Sequence, residues 1–97
     1  MNKAPSKERK EDMYKAILTL ETVEECMNFF DDLCTVTELS AMEQRFEVAT
    51  CLHKGMIYND ILEQTGASSA TISRVNRSLT GRNSYGGYDL VFERMGE

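Results

Sequence analysis

Apolar residues recur at helical spacing through most of this 97-residue chain, whereas the two-residue alternation of strands is poor outside one short segment. A first helix is predicted from about Lys7 to Leu20, with Met13, Tyr14, Ile17 and Leu18 along one side. Thr22 and Glu25 then form a capping-box pattern, a hydroxyl and a carboxylate spaced to satisfy the backbone donors that a helix start leaves unpaired. In the helix that follows, Val23, Cys26, Met27, Phe30, Leu33 and Cys34 make one wide apolar stripe, which requires a partner. Thr35 with Glu38 repeats the box and opens a third helix of about 18 residues, with Leu39, Met42, Phe46, Ala49 and Leu52 on one face and Gly55 as its stop.

Beyond Gly55, Met56 to Asn59 is a connector and about Asn59 to Thr65 a brief helix with Ile61 and Leu62 inward. From Tyr58 to Arg77 the chain fits a helix-turn-helix template. Gly66 supplies the positive φ of a tight turn, and Ser68 is placed to cap the second helix. Ile72 and Val75, three residues apart, anchor that helix and turn Ser69, Ala70, Ser73, Asn76 and Arg77 outward. Small or hydrogen-bonding residues near its start and the basic Arg74 and Arg77 suit a helix that enters a DNA major groove. A glycine between two short amphipathic helices also occurs in ordinary bundles, so the competing reading is a protein-interaction module that keeps the pair as scaffold. Thr80 to Gly87 is rich in glycine and polar residues and reads as a loop, and the short apolar segment Tyr88 to Met95 is compatible with helix or strand.

Charge sharpens the picture. The formal net charge is -5, yet it is divided unevenly along the chain. Met13 to Gly66 is predominantly acidic, whereas Ala67 to Tyr88 contains Arg74, Arg77 and Arg82 and no acid, which leaves a local positive face on an acidic protein. Cys26, Cys34 and Cys51 lack metal-type spacing and fall at apolar helical positions, as expected of reduced core residues in a cytoplasmic protein. No apolar run reaches the roughly 20 residues that span a membrane. His53, the only histidine, has no cysteine or carboxylate at metal or catalytic-triad spacing and suits a cap or surface role at the end of the third helix. Neither catalysis, a metal nor a cofactor is expected.

The segments GASSATISRVNRSL and CTVTELSAMEQRFEVATCLHKG resemble the tryptophan repressor superfamily, and more closely its small TrpR-related branch of YerC/YecD type. The likeness covers about Cys34 to Leu79, with Ala-Thr-Ile-Ser-Arg and the ending Ser78-Leu79 its most specific parts. What it implies is an all-α, intertwined homodimer presenting two recognition helices to a pseudo-palindromic DNA operator, the geometry for which the tryptophan repressor is itself a standard example. It also implies an effector site. In the repressor two arginines matching Arg45 and Arg74 flank the tryptophan, with hydroxyl residues matching Thr35 and Ser78 nearby. The sequence departs at Val75, where the repressor has a glycine, and a β-branched side chain there competes with an indole ring. Tryptophan is therefore not expected as a strong co-repressor, although another small effector is compatible with the matched positions.

The expected organisation is a disordered N-terminus over residues 1–6, a TrpR-like helical domain over 7–79 with the helix-turn-helix at 58–77, and a Gly/Ser/Tyr-rich loop with a short C-terminal segment over 80–97. The expected function is transcriptional regulation, of repressor type, with Ser68, Ser69, Ala70, Ser73, Arg74, Asn76 and Arg77 at the DNA and Thr35, Arg45, Arg74, Val75 and Ser78 around any effector.

Overall fold

The computed structural model describes residues 9–80 and 84–96, so the expectations for the N-terminus and for Arg82 lie outside the described residues. These residues form six helices and no strand: α1 (Glu11–Ile17), α2 (Val23–Leu33), α3 (Val36–His53), α4 (Tyr58–Thr65), α5 (Ser69–Thr80) and α6 (Gly87–Met95). The chain divides into two compact units, residues 1–36 and 37–97.

In the first unit α1 is shorter than its apolar spacing predicts. It ends at Ile17 because the Thr19 hydroxyl donates to the Ala16 carbonyl at 2.6 Å and the Leu20 N–H to Ile17 at 3.1 Å, bonds that tighten the last turn. The Thr22 cap forms as predicted, its hydroxyl accepting from the Glu25 N–H at 3.0 Å. The Glu25 carboxylate reaches one residue further back than the standard box, to the Glu21 N–H at 2.8 Å. The α2 stripe is open in the single chain: Val23 is 75% and Met27 60% exposed, and no α2 residue is buried. Of the three free cysteines only Cys51 is in a core, because Cys26 and Cys34 lie on this open stripe and are half-buried.

The second unit is built on α3. Val48, Ala49 and Cys51 are buried with Ile61 of α4, Ala67 of the turn, Ile72 and Val75 of α5, and Phe92 of α6. The stripe predicted for α3 differs from the buried one. Ala49 is fully buried, whereas Met42 and Phe46 are 39% and 38% exposed, and the deepest neighbours, Val48 and Cys51, lie off the predicted face. Apolar residues are distributed round α3, so no single face captures its packing. Leu62, expected inward, is 44% exposed, since an eight-residue helix turns only about one residue in four to the core and Ile61 occupies that place.

The segment from Tyr88 to Met95, which apolar content alone leaves undecided, is helical. Gly86 in the left-handed region (φ 79°) starts α6 and Gly96 (φ 80°) ends it. Phe92 carries the docking of α6. Its ring stacks on His53 with centroids 4.4 Å apart and lies 5.7 Å from Phe46 and 6.2 Å from Tyr88. His53, expected at a cap or on the surface, thus ends α3 while covering a buried aromatic ring.

Phe92→Ala is expected to destabilise the protein by about 3–5 kcal/mol, the range for truncating a buried phenylalanine, and Val91→Ala by less than about 1 kcal/mol because Val91 is 43% exposed. Denaturant unfolding of the two variants checks this difference.

Candidate nucleic-acid interface

The helix-turn-helix spans α4, the turn and α5. Gly66, in the left-handed region at φ 73°, ends α4, and its N–H returns to the Leu62 carbonyl at 2.9 Å. A β-carbon there would meet open space, so the backbone conformation rather than crowding demands glycine. Thr65 stitches the turn on both sides: its hydroxyl donates to the Ile61 carbonyl at 2.7 Å and accepts from the Ala67 N–H at 3.1 Å. Ala67 then drops into the core at 2% exposure.

Ser68 starts α5. Its hydroxyl accepts from the Thr71 N–H at 3.1 Å and lies 3.1 Å from the Thr71 hydroxyl, while its carbonyl takes the first helical bond from Ile72 at 3.0 Å. Ile72 and Val75 are buried, at 0% and 2% exposure, and hold α5 against α3 and α4. That anchorage leaves Ser68, Ser69, Ala70, Arg74 and Arg77 exposed. Ser73 and Asn76, expected outward, are half-buried because they flank the anchoring residues. The helix continues three residues past Arg77 to Thr80, whose hydroxyl donates to the Asn76 carbonyl at 3.0 Å. No acid lies in its first turn and Arg77 lies in its last, so α5 offers hydroxyls, a methyl group and two guanidinium groups without a carboxylate.

The chain matches the family described as Trp repressor protein over residues 8–96. It belongs to that family. The protein YerC of Bacillus subtilis (strain 168), itself uncharacterized, is 46% identical over 85 residues, which are 88% of this chain and 80% of the relative. Among solved structures, a TrpR-like protein from Eubacterium eligens ATCC 27750 superposes with a TM-score of 0.82 at 52% identity, covering 89% of this chain and 87% of that one. A candidate Trp repressor from Staphylococcus aureus also gives 0.82, at 46% identity, covering 89% and 84%. Membership and fold together support a DNA-binding regulator in general. Among the described residues no helix is long and apolar enough to cross a membrane.

The residues expected around an effector differ from one another in their surroundings. Thr35 lies in the first unit, directly before α3. In the second unit Arg45 and Arg74 are exposed, Val75 is a core residue, and the exposed Ser78 donates its hydroxyl to the Arg74 carbonyl at 3.4 Å. Ser78 also borders a cleft of about 480 Å³ whose other walls are Phe46, Tyr85, Gly87, Tyr88 and Val91. This cleft exists because α6 docks beside α3 and α5, an arrangement that sequence spacing did not reveal. The signal available was Tyr88, Phe92 and Met95 at offsets of four and seven, one helical face around a buried ring.

Ser68→Ala is expected to cost about 1 kcal/mol, because it strips the acceptor from the start of α5, whereas Ser69→Ala stays within about 0.5 kcal/mol. Equilibrium urea unfolding separates the two.

Proposed function

We propose that the protein is a sequence-specific DNA-binding regulator of transcription, a repressor of TrpR-like type, which acts in the cytoplasm as a homodimer on a pseudo-palindromic operator. The observation that carries this reading is the anchored, acid-free helix α5, which buries Ile72 and Val75 and leaves Ser69, Ala70, Arg74 and Arg77 exposed. In this reading Ser69, Ala70 and Ser73 face base edges, Asn76 stands beside them, and Arg74 and Arg77 meet phosphates, with Ser68 holding the helix start. The open α2 stripe supports a second copy as partner, since a small chain buries too little surface to leave such a stripe in water without cost. Two copies bring two recognition helices to half-sites about one DNA turn apart.

Selection of bound duplexes from a random pool tests the reading. It should return a two-fold repeated sequence whose affinity falls with added salt at a logarithmic slope of about -0.9 per neutralised phosphate. No enriched sequence, with binding to a protein partner that is nearly indifferent to salt, would establish the scaffold alternative instead. Arg77→Ala should weaken the selected and unrelated duplexes alike and flatten the salt slope by about one unit, while substitutions of Ser69 and Ser73 should change sequence preference by about 1–3 kcal/mol per lost base contact.

Free tryptophan is not expected to act as a strong co-repressor. Val75 carries two methyl groups where the repressor has glycine, and at 2% exposure it is already committed to the core. Forcing an aromatic ligand against a packed side chain costs about 1–3 kcal/mol, roughly a five- to 150-fold loss of affinity. Titration calorimetry should detect no saturable binding at micromolar tryptophan and weak binding to Val75→Gly; tight binding to the unmodified chain would refute the steric explanation. A different small effector near Arg45, Arg74 and Ser78 stays compatible with that outcome.

A further inference from the structure

We propose that Gln44 is a positioning residue for DNA recognition: its side-chain amide, reaching from α3 to the final carbonyl of α4, sets the pose of the recognition helix. The inference rests on the DNA-binding reading above and assigns a role to a residue outside the helix-turn-helix itself.

The geometry points to Gln44 through its place on α3. Gln44, Val48 and Cys51 are spaced by four and three residues and so share one helical face. Val48 and Cys51 are buried in the cluster that contains Ile61, Ile72 and Val75, so this face is the one that packs on the helix-turn-helix. Gln44 continues it with a polar group. Its Nε2 donates to the Thr65 carbonyl at 3.2 Å, a half-buried bond between residues 21 apart in sequence. Thr65 is the last residue of α4, and because the chain turns left-handed at Gly66 the helix supplies no following N–H for that carbonyl.

Why should one hydrogen bond matter beside eight buried apolar residues? Apolar burial is non-directional and resists separation far more than rotation or sliding. A hydrogen bond weakens steeply when its angle closes, so it fixes orientation as well as distance. Here it acts on the peptide immediately before the turn. The Thr65 hydroxyl fixes the Ala67 N–H one step later, and the Ser68 cap fixes the first turn of α5 one step after that. Ser69 and Ala70 come next, so a shift at Thr65 passes directly into the residues proposed to face bases.

The test compares Gln44→Met, which keeps an unbranched chain of similar length without the donor, with Gln44→Lys, which restores a donor. Dissociation constants are measured at one salt concentration for the duplex selected by the unmodified protein and for a duplex of unrelated sequence. Gln44→Met is expected to weaken the selected duplex about tenfold and the unrelated one less than about twofold, with Gln44→Lys recovering most of the ratio. A ratio that does not change, or equal weakening of both duplexes, overturns the proposal in favour of a purely structural role. In the free protein, exchange of the Ala67 and Ile72 amides should quicken several-fold in Gln44→Met relative to the Cys51 and Leu52 amides; no change there overturns the proposal as well. Gln44→Ala takes the same measurements if Gln44→Met does not fold. Should the unmodified protein select no duplex, the DNA-binding reading fails while the exchange comparison still decides whether Gln44 restrains the turn.

Discussion

Everything in the second unit depends on α3 serving two sets of neighbours at once. Val48 and Cys51 lie on the side that closes over Ile61, Ile72 and Val75, whereas Phe46 and His53 lie on the side that receives Phe92 and Tyr88 of α6. Burial of side chains such as Ile61, Ile72 and Phe92 contributes about 1.5–3 kcal/mol each, and all of it is organised by this one helix. α3 serves both neighbours from different sides while Ser40, Glu43 and Glu47 stay exposed. α5 is therefore held in place by the same element that docks α6.

What faces outward follows from what is held inward. With Ile72 and Val75 committed to the core, α5 has little rotational freedom, and Ser69, Ala70, Arg74 and Arg77 are left exposed by helical geometry. The electrostatics agree with the packing. Acids are concentrated between Met13 and Gly66, and none occurs from Ala67 to Tyr88, so the exposed face of α5 has the sign that a phosphate backbone attracts. The turn adds order through short-range hydrogen bonds: Thr65, Ser68 and Gln44 each satisfy a backbone group that the helix ends leave over.

Apolar surface that the single chain leaves open belongs to the same functional reading. In the first unit Val23, Met27 and Leu33 remain exposed along α2, and in the second Met42, Leu90 and Val91 remain at least a third exposed. In the proposed homodimer a second copy would cover these residues and supply the second recognition helix for a two-fold operator. The cleft beside Ser78 and Tyr88 is part of that outer surface, and its lining is mostly aromatic and aliphatic.

The sequence by itself determined the local devices and their order. The Thr22 cap, the stop at Gly55, the left-handed Gly66, the Ser68 cap and the anchors Ile72 and Val75 are all legible because each depends on residues within a few positions of one another. Family membership was legible for the same reason, since the turn and recognition helix form a continuous motif. Tertiary structure alone decided which α3 residues are deepest, that Leu62 stays at the surface while Ile61 enters the core, and that the Leu90-Val91-Phe92 segment is a helix locked by His53. It also decided that Gln44 meets Thr65, 21 residues away. Periodicity records how many apolar positions a helix has, but a helix with several apolar faces does not encode which neighbour takes each one; that choice is made only when the helices pack, because burial is cooperative and non-directional while the polar ties between helices depend on the final geometry.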